Sequence, residues 1–475
     1  MTDLLIRDAR LVPVQPGDTA PDGPVDVLLH DGRVVDVRPG FARPDGVEEV
    51  EADGRWLLPG LWDQHVHLGQ WTLASQRVDA SAVGSVAEAV SLVAERVAAV
   101  PGRPVITWGH RPGGWGGECS VADLDEVSGV TPVVLIAGDG HHAWLNSAAL
   151  AALGLPARDG VVRENEWFAA YDRLTRLGDD AGTSPAAYRT VLDAAAALGV
   201  VGLVDYEFVG SVDDWVERWR QGCDPLRVRV ATYADGLEDV IAQRRRTGDP
   251  LSDDGRLTMG PLKIISDGSL NTRTAWCCEP YADGALLEHP AGAANLTESE
   301  LTALLARAHM SGLEVATHAI GDAAVTAALD AYAATGARGS VEHAQLVARG
   351  DVRRMAGLGI RASVQPGHLL DDRDLTELIW PGRSERSFAF RWMLDDGVRL
   401  CFGSDAPVSP LDPWLAVAAA VRRTADERPA WHPEQALTTR EALAASVDGQ
   451  PMVGVGSPAD VVLLDDDPLT APRPH

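Results

Sequence analysis

The residues best suited to chemistry begin in Leu58-Pro-Gly-Leu-Trp-Asp-Gln-His65-Val-His67. Alternate residues of a strand project from one face, so His65 and His67 point the same way. Two imidazoles on a rigid strand can hold one metal ion. A lone His-x-His is more readily a pair of hydrogen-bonded or surface histidines, and by itself it is a weak signal. Four later residues shift the balance. Lys263 sits within Pro-Leu-Lys-Ile-Ile-Ser, and His318 ends Glu-Val-Ala-Thr-His. His343 ends Ser-Val-Glu-His, and Asp405 ends Leu-Cys-Phe-Gly-Ser-Asp. Each falls on or just after an apolar, strand-like run. One or two divalent ions held there would bring the pKa of bound water toward ~7 and make hydroxide available.

These side chains need a frame, and the chain supplies its pattern. Trp62–His67, Val201–Tyr206, Leu226–Tyr233, Leu262–Ser266, Glu314–His318, Ser340–His343, Ile360–Gln365 and Leu400–Gly403 read as apolar strands. Helix-period segments alternate with them from Val201 onward, two opened by the capping boxes Thr297-x-x-Glu300 and Thr438-x-x-Glu441. Eight strand–helix units predict an α/β fold, a (β/α)₈ barrel over residues 59–447, whose chemistry belongs at the carboxyl ends of the strands. Between the first two strands lie about 130 residues, far beyond an ordinary connection. An inserted subdomain at about 70–195 over the barrel mouth is the reading, with Pro104–His110 and Pro132–Ala137 as strands. Both ends of the chain are β-rich: Leu4–Ile6, Val25–Leu29 and Arg33–Val37 at the start, Ala459–Asp465 at the finish. Residues 1–58 and 448–475 are therefore expected to build one small β-sandwich.

Composition excludes some partners. With 41 Lys+Arg against 69 Asp+Glu the net charge is −28, which repels nucleic acid and anionic lipid. No window approaches the ~20 apolar residues of a membrane span. The N-terminal residues are patterned as a strand rather than a signal peptide, and the five cysteines follow no disulfide or zinc-ribbon spacing. A cytoplasmic enzyme with a small-molecule substrate is expected, and a homo-oligomer remains open.

Taken in order, several stretches resemble the amidohydrolase superfamily, and within it the family 3 branch that contains N-substituted formamide deformylases. They are Pro59-Gly-Leu-Trp-Asp-Gln-His-Val-His, Asp139-Gly-His-His-Ala-Trp-Leu-Asn-Ser, Lys263-Ile-Ile-Ser-Asp-Gly-Ser, Arg273-Thr-Ala, His318-Ala-Ile-Gly-Asp, Val341-Glu-His-Ala-Gln, Gln365-Pro-Gly-His and Gly403-Ser-Asp-Ala-Pro. The resemblance implies that His65, His67 and Asp405 hold one metal, His318 and His343 a second, and Lys263 bridges them. Zinc is the metal it suggests first. An ammonium cannot ligate a cation, so Lys263 would react with carbon dioxide to give a carbamate with an oxygen for each ion. Burial, which lowers a lysine pKa, would free the amine for that reaction. The plain alternative is a buried ion pair of Lys263 with Asp267 or Glu342. Asp405 would take a proton from water and deliver it to the departing nitrogen.

Candidate substrate contacts are His141, Trp144, Arg273, Asp322, Gln365 and His368. Each has a plain counterpart: Asp322 an N-cap, Arg273 an ion pair with Asp267, Gln365 and His368 loop hydrogen bonds, His141 and Trp144 packing. Trp71, Trp108 and Trp115, also in or near the insertion, could line an apolar pocket, though tryptophans are more often core. The expected activity is hydrolysis of a C–N bond, with a linear N-substituted amide as substrate. A mononuclear deaminase and a cyclic amide hydrolase are the nearest alternatives, and a non-catalytic scaffold is the remote one.

Overall fold

Eight parallel strands form the central sheet, in chain order: Leu61–Val66, Val200–Asp205, Arg227–Thr232, Leu257–Ile265, Val315–Ala319, Gly339–His343, Arg361–Val364 and Leu400–Phe402. The computed structural model describes residues 3–171, 173–177, 182–208 and 210–470. A parallel bridge between Val66 and Ala406 joins the last strand to the first and closes the cylinder. The result is the expected (β/α)₈ barrel. Its strands are near-continuously buried, as they must be with side chains inside and helices outside: all six residues of Leu61–Val66 are buried. Both capping boxes form. Thr297 opens the helix Glu298–Met310 and Thr438 opens Thr439–Ser446, each with reciprocal bonds to the glutamate three residues on.

The seam between the first and last strands is unusually close. A Cβ on Gly403 would lie 2.6 Å from the His65 amide nitrogen and 2.7 Å from its Cβ, so only glycine fits there. Asp63 fastens the seam: one carboxylate oxygen accepts from the backbone amides of both His65 and Ser404, at 3.0 Å each. Burial pushes the pKa of Asp63 up to about 6.

Between the first and second barrel strands lies a separate five-stranded sheet. Its order is Val162–Arg163, His142–Leu145, Val133–Ala137, Val105–His110, Val78–Asp79, with the first three antiparallel and the last three parallel. It has its own apolar core, which includes Trp167, Val134 and Ile136. The two ends of the chain meet in a six-stranded sheet, where Val461–Leu464 pairs antiparallel with Trp56–Pro59. Residues 471–475 of the predicted terminal unit lie outside the described residues. Among the described residues no helix is long and apolar enough to cross a membrane.

Candidate metal centre and active site

Closure of the barrel assembles the site. Asp405 donates its backbone amide to the His65 carbonyl at 2.7 Å, and His67 donates to the Ala406 carbonyl at 2.9 Å. The side chains follow. One Asp405 oxygen lies 3.4 Å from Nε2 of His65 and 3.2 Å from Nε2 of His67. The ring of His343 stands 5.0 Å from that of His65 and 4.5 Å from that of His318, centroid to centroid. Asp405 and His343 both have left-handed backbone, with φ of 57° and 68°. Such angles on residues bearing a Cβ cost about 1–3 kcal/mol, and here they turn both side chains at strand ends toward the same space.

Lys263 lies on the fourth barrel strand, almost fully buried, with Nζ 3.1 Å from Nε2 of His65 and 4.4 Å above the Tyr206 ring. Burial pushes its pKa down to about 8, although Glu342 and Asp405 pull the other way. Neither ion pair weighed for it is made. Glu342 instead accepts from Nδ1 of His65 at 2.7 Å and from the Ser340 hydroxyl. Asp267 is spent on the backbone amides of Trp276, Ile320 and Gly321, and lies 3.3 Å from Nε2 of His318. Among the described residues no carboxylate comes within ion-pair distance of the amine.

The electrostatics suit a cation. Burial would raise the Asp405 pKa, but the imidazoles of His65, His67 and His343 outweigh it and hold the carboxyl well below its usual range. Burial pushes His65 down to about 4 and His343 well below the ordinary histidine value, so both rings are neutral at pH 7, the state a metal ligand requires. Nδ1 of His67 and of His343 and Nε2 of His368 are buried without a hydrogen-bond partner. Orphaned imidazole nitrogens are costly unless something fills their lone pairs, and a metal ion does. Donor atoms of His65, His343 and Asp405 all lie within 4.8 Å of one another. That trio cuts across the two ligand sets the sequence suggested. The residues present fit a divalent ion.

Six expected metal ligands converge: His65, His67, Lys263, His318, His343 and Asp405 all line one cavity of ≈1870 Å³ at the carboxyl end of the strands. His141, Arg273 and His368 line it too, and Nε2 of His368 is 3.8 Å from Asp405. Three other expected contacts do not. Trp144 is buried in the insertion's own core, where its indole donates to the Ser120 carbonyl. Gln365 is buried and donates to the Ser363 carbonyl, its plain alternative. Asp322 follows the N-cap Gly321 as the first helical residue, accepts from the Cys278 amide and pairs with Arg386 at 3.2 Å. Arg273 pairs with Asp283 rather than with Asp267, which has no valence to spare. Of the tryptophans, Trp108 alone among those named lines the cavity.

The composition carries a further signal for Lys263. Of the 41 basic residues only one is lysine, Lys263; the others are all arginine. A chain that uses arginine for every other positive charge keeps its one primary side-chain amine at the centre of the barrel. Arginine can replace a lysine charge, but not its capacity to become a neutral nucleophile.

A doubly anchored barrel site of this kind defines a class of hydrolase, and the comparisons name it. The chain belongs to the amidohydrolase family, whose model matches residues 48–475. It is 30% identical to the protein LONG AFTER FAR-RED 3 of Arabidopsis thaliana, over 84% of this chain and 74% of that one. It is 26% identical to an N-substituted formamide deformylase of Arthrobacter pascens, over 89% and 85% of the two chains. Among solved structures, an uncharacterized metal-dependent hydrolase of Pyrococcus horikoshii superposes with a TM-score of 0.79 at 24% identity, covering 99% of both chains.

Proposed function

We propose that the protein is a metal-dependent amidohydrolase that cleaves the C–N bond of a linear N-substituted amide with water, using the barrel of residues 59–447. The observation that carries this reading is the set of imidazoles with orphaned ring nitrogens around a buried amine and a buried carboxylate. His65, His67, His343, His318 and Asp405 would hold the metal, with zinc the first choice for a nitrogen-rich donor set. When bound, the ion supplies Lewis-acid polarisation and lowers the pKa of water.

The chain's own residues do the rest. Asp405, ionised at neutral pH, receives a proton from water and passes it to the leaving nitrogen. Glu342 fixes the His65 tautomer with the proton on Nδ1, leaving Nε2 as the ligand atom. Tyr206 and the strand walls keep Lys263 dry, which favours its free amine and hence its carbamate. The formamide deformylase relative supports a linear amide as substrate. The five cysteines are free, which fits a reducing cytoplasm.

A single-ion reading is favoured by one observation, the compact His65–His343–Asp405 trio. Metal analysis beside bicarbonate-dependent amine release from a panel of amides decides between them. Two metals per chain with bicarbonate dependence support the carbamate-bridged amidase; one metal without it supports a mononuclear deaminase. No hydrolysis of any amide by metal-loaded protein sinks the amidase reading.

A further inference from the structure

The insertion contributes one polar side chain that is held rigidly yet left incomplete. His141 lines the cavity with its side chain 30% exposed. Its backbone is pinned at both ends: the amide donates to Asp139 at 3.0 Å, and the carbonyl accepts from the Glu164 amide at 2.8 Å. The ring is pinned as well, with Nδ1 3.1 Å from Glu164 Oε2. The edge of Phe168 packs against it, at 5.5 Å between centroids. Glu164 adopts a left-handed φ of 48° to reach this position, and its other oxygen is buried without a partner. A carboxylate that accepts strain and an unfilled lone pair to hold one imidazole is fixing that imidazole for a purpose.

The remaining ring nitrogen, Nε2, has no protein partner among the described residues. Burial works to lower the His141 pKa, but the carboxylates of Glu164, Asp139 and Asp405 outweigh it and raise it. With Nδ1–H committed to Glu164, the ring when protonated presents a single N–H to the cavity.

We propose that His141, oriented by Glu164, is the insertion's contact with substrate, donating from Nε2 to an oxygen acceptor of the bound amide. The acceptor is either the amide carbonyl itself or a carboxylate elsewhere on the substrate. The inference rests on the amidohydrolase reading and adds the feature by which the cavity selects its substrate. Glu164 is a positioning residue here.

The test uses full-length, metal-loaded protein with ¹⁵N-labelled histidine, the His141 signals being assigned from the H141F spectrum. The probes are N-ethylformamide and N-formylalanine, which share the amide and differ in the carboxylate. Movement of the His141 Nε2 resonance with both assigns the contact to the carbonyl; movement with N-formylalanine alone assigns it to the carboxylate. H141F should weaken binding of the responding probe about tenfold, the worth of one hydrogen bond to a charged donor. E164Q, which keeps a weaker acceptor for Nδ1–H, should lose less than E164A. No movement with either probe at millimolar concentration overturns the proposal. Amine release is scored separately: a His141 response without it keeps the contact and removes the amidase reading.

Discussion

The carboxylate of Glu342, wholly buried, accepts a 2.7 Å hydrogen bond from Nδ1 of His65. That bond assigns the ring proton and leaves Nε2 bare toward Lys263 and Asp405. Glu342→Gln should weaken metal affinity about 10–100-fold, as loss of a ligand-orienting partner does. Activity should return at raised metal concentration. Competition with a graded chelator reads the affinity, and an unchanged value would remove Glu342 from this role.

Asp405 should separate proton transfer from metal content. Asp405→Asn is expected to bind metal near normally, held by the imidazoles, while turnover falls about 10²–10⁴-fold, the usual worth of a general acid–base group. Elemental analysis beside kcat checks both halves. Retained turnover would show that another group carries the proton.

Lys263 is open to an uncommonly clean experiment because no other lysine exists in the chain. Protein loaded with metal in ¹³C-bicarbonate should show one side-chain carbamate resonance, absent from Lys263→Arg. Arginine keeps the charge but cannot form the carbamate, so that variant should also lose bicarbonate-dependent activity. Full activity in Lys263→Arg would refute a carbamate bridge.

Asp372, which lines the same cavity without being a candidate ligand, offers a pH-dependent stability signal. Burial, and then the neighbouring Asp371 charge, push its pKa up to about 7, against the pull of Gln345 and Arg111. The carboxyl is therefore protonated in the fold at pH values where the unfolded chain has already released its proton. Its penalty begins as pH rises through the unfolded value near ~4, grows to about 7, and is constant above that. Asp372→Asn should thus be near neutral at pH 4 and stabilising at pH 8, by on the order of 4 kcal/mol. Denaturant melts at the two pH values provide the comparison; equal effects at both would place the Asp372 pKa in the ordinary range.

The barrel was legible because its strands are apolar runs with a repeating helix between them, and burial on both faces leaves that signature in composition. The candidate ligands were legible as a cluster because strand ends are where the period of two delivers side chains to one rim. What failed lies where local pattern says nothing about tertiary neighbours. Trp144 alternates inward on a strand of the insertion, but inward there means the insertion's own core. Gln365 follows the seventh strand, yet its amide is used by a carbonyl two residues back. Arg273 and Asp267 are close in sequence, but three backbone amides claim the aspartate first. Asp63, which holds the His65 amide, gave no sign beyond being an acid in an apolar run, and Glu342 stood out only as a partner for Lys263, whereas it bonds the His65 ring.

The seam at Gly403 sets an order of events for the nascent polypeptide. Residues 65 and 405 are separated by most of the synthesis time, and they touch only when the cylinder's final stave swings against its first. A ribosome that stalls before that stave emerges yields a chain whose rim lacks Asp405 and stays open, however well its earlier segments have folded. Capture of an ion by the full donor set would then report that the cylinder has closed.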